Sequence, residues 1–321
     1  MSGQPPRPTW RHWLHRLGQS LLTLLLLSVL TFAVAHATPG GPFGLDDPDQ
    51  AARVPLEMRQ RYRQLYGLDQ PIAVQYLCWL GRVLQGDFGV SYTYRNETVQ
   101  QVLARTLPVS APIGLAAAVL ALGAGVPLGI AAAARRGAWP DQMARLLAVA
   151  GSAIPIYVLA TLCVVIFAVR LHWLPLTGWG APSRAILPIC VLALGPLGVV
   201  IRFTRAETLE VLAADYIRTA RAKGLPSQHV LGRHVLRNAL LPALTLAGPL
   251  LAHLLTGSFF VETIFNIPGV GAAFVYAAAD RDYPLIMAGA LLAGGLVILL
   301  NLLVDVAYGL LDPRLRLTPT D

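Results

Sequence analysis

Apolar residues in this chain come in long runs, unlike the alternation of a half-buried strand or the narrow stripe of a surface helix. Six runs stand out: about Leu17–Ala35, Val109–Ala134, Leu146–Val169, Ile186–Ile201, Leu240–Val261 and Leu285–Leu311. A helix needs about 20 mainly apolar residues to cross a bilayer. The pattern therefore predicts an all-α integral membrane protein with six transmembrane helices. The fourth run, at about 16 residues, is short for a straight crossing and is expected to be tilted or partly re-entrant. The later runs carry Pro127, Pro155, Pro196 and Pro249, and Gly289 with Gly294 and Gly295. Spans tolerate such breakers when neighbouring helices satisfy the freed backbone groups.

The polar passages divide the chain into a basic N-terminus (1–16), the first span (17–35), a segment at 36–108, a five-helix core at 109–311 and a tail at 312–321. The first span admits a second reading, because Ala35-His36-Ala37 has the A-x-A form of a signal-peptidase site. Signal h-regions run about 7–15 residues, and the greater length here favours a retained span. The 36–108 segment is mixed in sign. Within it Leu56–Tyr66 and Pro71–Leu84 have helical character, and Gly86-Asp87-Phe88-Gly89 makes a turn.

The most polar stretch of the C-terminal two-thirds is Arg205–Pro242, inside a loop spanning 202–239. Leu209, Leu212, Ala213, Tyr216, Ile217 and Ala220 fall on one helical face. Asp215 and Arg218 sit one turn apart, and Gly224 followed by Pro226 is a helix stop. A second helix is expected from about Ser227. Short helices do not stand alone in water, so these faces need a surface, either the protein's own bundle or a partner. The pattern leaves both open.

Charge assigns sides. The chain is 55% hydrophobic and 13% charged, with net charge +8 and Lys223 as its single lysine. Basic residues concentrate at Arg7, Arg11 and Arg16, at Arg135, Arg136 and Arg145, through Arg202–Arg237, and at Arg314 and Arg316. The opposite short loops hold Arg170, Arg184 and Arg281. By the positive-inside rule both termini and the 202–239 loop are cytoplasmic, and 36–108 lies outside. The basic excess is thus a signal of topology in a lipid bilayer and not of nucleic-acid binding. Cys78, Cys163 and Cys190 lack metal or redox spacing.

Catalytic patterns are missing. Lys223 precedes Gly224 without the G-x-x-x-x-G-K-[ST] context of a P-loop, and the chain has no H-E-x-x-H and no G-x-S-x-G. An intramembrane enzyme would need a nucleophile or metal pair that the sequence does not offer. A secondary transporter would call for mid-span acids. Asp305 lies near the end of the last run and is expected to pair with a loop arginine. His253, Thr256 and Ser258 put a polar stripe on the fifth span, either lining a path or bonding between helices. Glu262 is expected to be the first solvated residue of an external loop. Trp10, Trp13, Trp173 and Trp179 fit an aromatic belt at span ends.

Several strings carry a resemblance. Tyr216–Leu225 reads YIRTARAKGL, Ala37–Pro42 reads ATPGGP, and Tyr66–Pro71 reads YGLDQP. Gly86–Gly89, Val261–Gly271 (VETIFNIPGVG), Arg281–Pro284 and Asp312–Arg314 follow in order. Together they cover almost the whole chain and resemble permease subunits of ABC importers, of the oligopeptide and dipeptide branch. The EAA loop of such permeases reads E-A-A-x-x-x-G-x(9)-I-x-L-P. Anchored on Gly224, its triplet falls on Arg218-Thr219-Ala220 and its end on His234-Val235-Leu236-Arg237. Ala220, Gly224 and Leu236 match. The first two triplet positions, the Ile and the Pro differ, as they do in the peptide branch.

The resemblance implies a type I importer bundle with a cytoplasmic coupling loop and a periplasmic segment after helix one, in the bacterial cytoplasmic membrane. It implies that Asp215, Tyr216, Arg218, Thr219, Ala220, Arg221, Ala222, Lys223, Gly224 and Leu225 meet a separate ATPase. His253, Thr256, Ser258 and Glu262 are candidates for the translocation path, Glu262 through its place in a familial string. The implied partners are a homologous second permease, two ATPase subunits and an external peptide-binding protein. This chain then needs no cofactor, and ATP and magnesium belong to the ATPase subunits. The implied solute is a peptide, most simply an oligopeptide. Dipeptides, nickel chelates, glutathione and sugars stay open.

Overall fold

The computed structural model describes residues 10–37, 57, 60, 67, 69–94, 97–224, 226 and 236–311. It is helical throughout, and among the described residues the only β pairing is an isolated bridge between Val90 and Thr98. Among the described residues five helices are long and apolar enough to cross a membrane, and six if one sharply bent pair counts as a single span.

The first helix, α1 (Trp10–Ala37), runs straight through the first apolar run. Its outer surface is leucine-rich and exposed (Leu21, Leu22, Leu25, Leu26, Leu30), as suits a helix facing lipid. Its other side meets the last helix, where Arg16 pairs with Asp305. The amphipathic helix expected after Pro71 is present as α2 (Ile72–Leu84). It packs Trp79 against Phe32, Ala35, Tyr283 and Met287, and Tyr76 lies within hydrogen-bond distance of Ser28, at 2.8 Å. Most of the Leu56–Tyr66 segment lies outside the described residues.

The central helix α3 (Val99–Ala134) begins ten residues before the apolar run suggests. Its start is a capping box: Thr98 Oγ1 accepts from Gln101 N–H, and the Gln101 side chain accepts from Thr98 N–H. The third run is not one straight span. The helix α4 (Trp139–Ala153) stops at Ile154, and α5 (Ile156–Cys163), continued by a π turn to Arg170, departs at 110°. The cause is Pro155, which lacks an N–H and drives Ile154 to an extended ψ of 125°.

The fourth run is neither short nor re-entrant. It is the middle of α6 (Pro182–Ala213), 32 residues and about 48 Å long. The apolar pattern ends near Ile201, but nothing in RFTRAETLEVLA breaks a helix, so α6 continues beyond the lipid thickness. Backbones approach closely around it. A Cβ on Gly151 would strike the Leu194 carbonyl, and one on Gly198 would strike Ala148. Such small-residue contacts are how membrane helices gain packing energy without a hydrophobic driving force. After α6 come α7 (Asp215–Ala222), α8 (Leu236–Leu255), α9 (Phe259–Ile264), α10 (Val270–Ala279) and α11 (Tyr283–Leu311). The core lies where α3, α5, α6, α8 and α9 meet, around Ile113, Val191, Leu254 and Phe265.

Candidate functional site

The polar loop after the fourth run resolves into two helical pieces, not one. Leu209, Leu212 and Ala213 belong to the projecting end of α6, whereas Tyr216, Ile217 and Ala220 belong to α7. The break is at Ala214, whose ψ of 146° is extended. Ala214 still serves as the start of the new helix, accepting from Ile217 N–H at 3.1 Å and Arg218 N–H at 3.3 Å. Asp215 in the first turn suits the positive end of the helix dipole.

Ile217 is the fully buried residue of the described part of α7. Asp215, Tyr216, Arg218, Thr219, Ala222 and Lys223 are all exposed. Asp215 and Arg218 stand 3.7 Å apart with both side chains in solvent, a contact worth little by itself. Gly224 closes the helix at φ +79°, a conformation that any side chain would strain, and a Cβ there would meet open space. The side chains of Ala220 and Arg221 lie outside the description, as do Leu225 and the second helix expected from Ser227. The described part therefore buries Ile217 and presents a largely exposed face.

A strut that the sequence reading missed ties α6, the helix leading to α7, to α4. Asp141, at the start of α4, is buried and receives the Arg205 guanidinium in a two-pronged pair, Nε at 2.7 Å and Nη2 at 3.0 Å. Gly137 N–H adds a bond at 2.9 Å, and Arg145 lies 3.6 Å away. One helix level earlier, Arg202 donates to Ser152 Oγ at 2.8 Å. Charge counting treated Arg145, Arg202 and Arg205 as topology markers. The signal available was a lone Asp141 beside Arg135, Arg136 and Arg145, with no hint of which arginine it would choose.

The candidate path residues do not form one stripe. The fifth run is not one helix: α8 stops at Leu255, Gly257 turns the chain at φ +81°, and α9 begins at Phe259. His253 is exposed on α8. Thr256 spends its hydroxyl on the carbonyls of Ala252 and His253, at 3.1 and 3.0 Å. Ser258 flanks the start of α9, half-buried.

Glu262 is not solvated. It is buried in α9, and its carboxylate ties three elements together. Oε1 accepts from Ser110 Oγ of α3 at 2.7 Å, and Oε2 accepts from Ala272 N–H in the first turn of α10 at 3.0 Å. Ser110 Oγ in turn accepts from Val270 N–H at 2.8 Å. The carboxylate thus caps α10, where the orphan N–H groups and the dipole favour an anion. Crowding explains Gly269 and Gly271 of the string, and Gly257 just before it: a Cβ on any of them would run into this carboxylate.

Asp282 plays a similar part at the start of α11. Fully buried, it accepts from Ser91 Oγ, from Tyr92 N–H at 2.9 Å, from Thr93 N–H at 3.0 Å and from Leu285 N–H at 3.2 Å. It fastens the segment before α3 to the last span. Among the described residues no group of three or more His, Cys, Asp and Glu is placed to hold a metal ion.

Residues 125–317 match the family described as the binding-protein-dependent transport system inner membrane component. The chain is 41% identical over 307 residues to the dipeptide transport system permease protein DppB of Bacillus subtilis, covering 96% of this chain and 98% of that one. It is 40% identical over 305 residues to the oligopeptide transport system permease protein OppB of Escherichia coli, covering 94% and 98%. A solved chain from inward-facing conformations of the MetNI methionine ABC transporter shares the fold, with a TM-score of 0.52 at 18% identity. It spans 66% of this chain and 97% of that one.

Proposed function

The chain belongs to the family of binding-protein-dependent transport system inner membrane components, and on that premise we propose that it is the permease subunit through which an ATP-driven importer moves peptides across the cytoplasmic membrane. The observation that carries the reading is its identity of about 40% along nearly the full length of both dipeptide and oligopeptide permeases. Both termini and α7 face the cytoplasm, the side assigned by the arginine distribution. There α7 seats in a cleft of a separate ATPase, with Asp215, Tyr216, Arg218, Thr219, Ala220, Arg221, Ala222, Lys223, Gly224 and Leu225 as the interface. Its exposed face supports this assignment, since a short helix does not stand alone in water and this one leaves most of its described side chains uncovered.

The complete importer contains a homologous second permease, two ATPase subunits that bind ATP and magnesium, and an external peptide-binding protein. Motion of the ATPase reaches the bundle through α7, and from there along α6. This is a coupling between two states, not a catalytic site. His253, Thr256, Ser258 and Glu262 stand as residues at or near the path, with Glu262 acting by holding α10 in place.

The test is peptide uptake by the assembled importer in proteoliposomes. Wild type accumulates labelled di- or oligopeptide only with ATP inside the compartment that holds the ATPase. Gly224→Trp abolishes uptake while the permease stays in the membrane. Uptake by this chain alone, driven by an ion gradient, or full uptake by Gly224→Trp overturns the proposal.

A further inference from the structure

A cavity that neither α7 nor the Glu262 cluster touches opens where the end of α1, the helix α2 and the start of α11 converge. It opens to solvent, and its walls include Phe32, His36, Trp79, Arg82, Tyr283 and Met287. The inner wall is aromatic. His36 stacks on Phe32 at 4.0 Å between ring centres and faces Tyr283 at 6.2 Å, and Trp79 lies 5.9 Å from Phe32. Two features of this wall call for a ligand. Trp79 is only 6% exposed, and its indole N–H has no acceptor among the described residues, which buried donors rarely tolerate. Arg82 contributes a guanidinium that makes no ion pair among the described residues. No aspartate or glutamate among the described residues lines the cavity.

A fixed cation, an unmet donor and an aromatic box without an acid select an anion with an apolar remainder. The surroundings say which kind. The wall belongs to the end of a lipid-facing helix, whose Leu26, Val29, Leu30 and Val34 are exposed. The far side of α2 exposes Val74, Leu77 and Leu84, although α2 is no span. A helix apolar on both flanks, with its polar groups turned to a cavity, suits the membrane interface. We propose that this cavity binds the phosphate headgroup of a membrane phospholipid. Arg82 and the Trp79 N–H donate to phosphate oxygens, and the acyl chains lie along the exposed faces of α1 and α2. The leaflet is the outer one on the orientation given above. The site itself depends on neither that orientation nor on what is transported.

The full chain, purified in detergent and placed in nanodiscs of phosphatidylcholine with a minor share of phosphatidylglycerol, provides the test. Native mass spectrometry of the ejected protein counts the retained lipid, and titration in mixed micelles gives the affinity. Wild type retains one phosphatidylglycerol. Arg82→Gln, which keeps most of the stem, weakens it about tenfold. Trp79→Phe, which keeps the ring packing and deletes only the N–H, weakens it about threefold. Both variants elute as wild type does by size exclusion. Equal retention by wild type and both variants overturns the proposal. So does displacement of the lipid by millimolar inorganic phosphate, which assigns the cavity to a free anion. Displacement by a dipeptide also overturns it, assigning the cavity to a peptide carboxylate.

Discussion

Glu262 shows how a side chain can reverse its apparent role once its neighbours are known. In the sequence it follows an apolar run and looks like the first residue to reach water. In the fold its carboxylate satisfies Ser110 and the first turn of α10, and three glycines make room for it. Removing it leaves buried donors without acceptors, at about 1–3 kcal/mol each. Glu262→Ala is therefore expected to lower the midpoint of thermal inactivation in detergent and to reduce uptake. Ser110→Ala, which removes one hydroxyl, should do less. Equal loss from both substitutions would show that the carboxylate matters only through Ser110. No sequence signal pointed to Ser110, because it lies 152 residues away and hydroxyls on apolar helices usually bond to their own backbone.

Among the elements, α6 and α7 carry the most weight. Composition marks where α6 becomes polar but not where it stops being helical, because arginine, glutamate and leucine all favour helix. The overhang carries α7 at its end, which under the proposed function makes it the lever that passes motion to the bundle. The Asp141–Arg205 pair braces that lever against α4, with the carboxylate buried and the guanidinium partly so. Taking away one member of such a pair costs more than the pair itself contributes, on the order of 3 kcal/mol. Asp141→Asn is expected to leave membrane insertion intact and to lower uptake per complex, with the ATPase no longer stimulated by loaded binding protein. Wild-type stimulation in that variant would remove the bracing role. The strut was illegible because every local arginine was an equal candidate, and only the packing of α4 on α6 selects Arg205.

At the scale of the whole molecule, close approaches of helix backbones add to the side-chain packing of the core. Gly151 against Leu194 and Gly198 against Ala148 bring α4 and α6 together at backbone distance. Gly151→Leu should separate them and is expected to reduce the yield of monodisperse protein in detergent. Gly123→Leu, where a Cβ would meet nothing within 4 Å, should be silent. Similar losses from both would indicate a general effect of added bulk. Much of the architecture follows from the sequence, because lipid imposes one rule on every apolar run: all backbone groups must bond within the segment. That rule makes each run a helix, arginine asymmetry suggests its direction, and Gly224 followed by Pro226 marks the end of the short helix. The same rule is blind to what happens between helices. The bend at Pro155, the length of α6, the break at Ala214 and the turn at Gly257 depend on which neighbours accept a broken or continued helix. The distant partners of Asp141, Glu262 and Asp282 lie 64 to 191 residues away in the chain. Hydropathy and local spacing extend over a few turns, so they determine the elements. Only the folded bundle decides which buried carboxylate holds which helix.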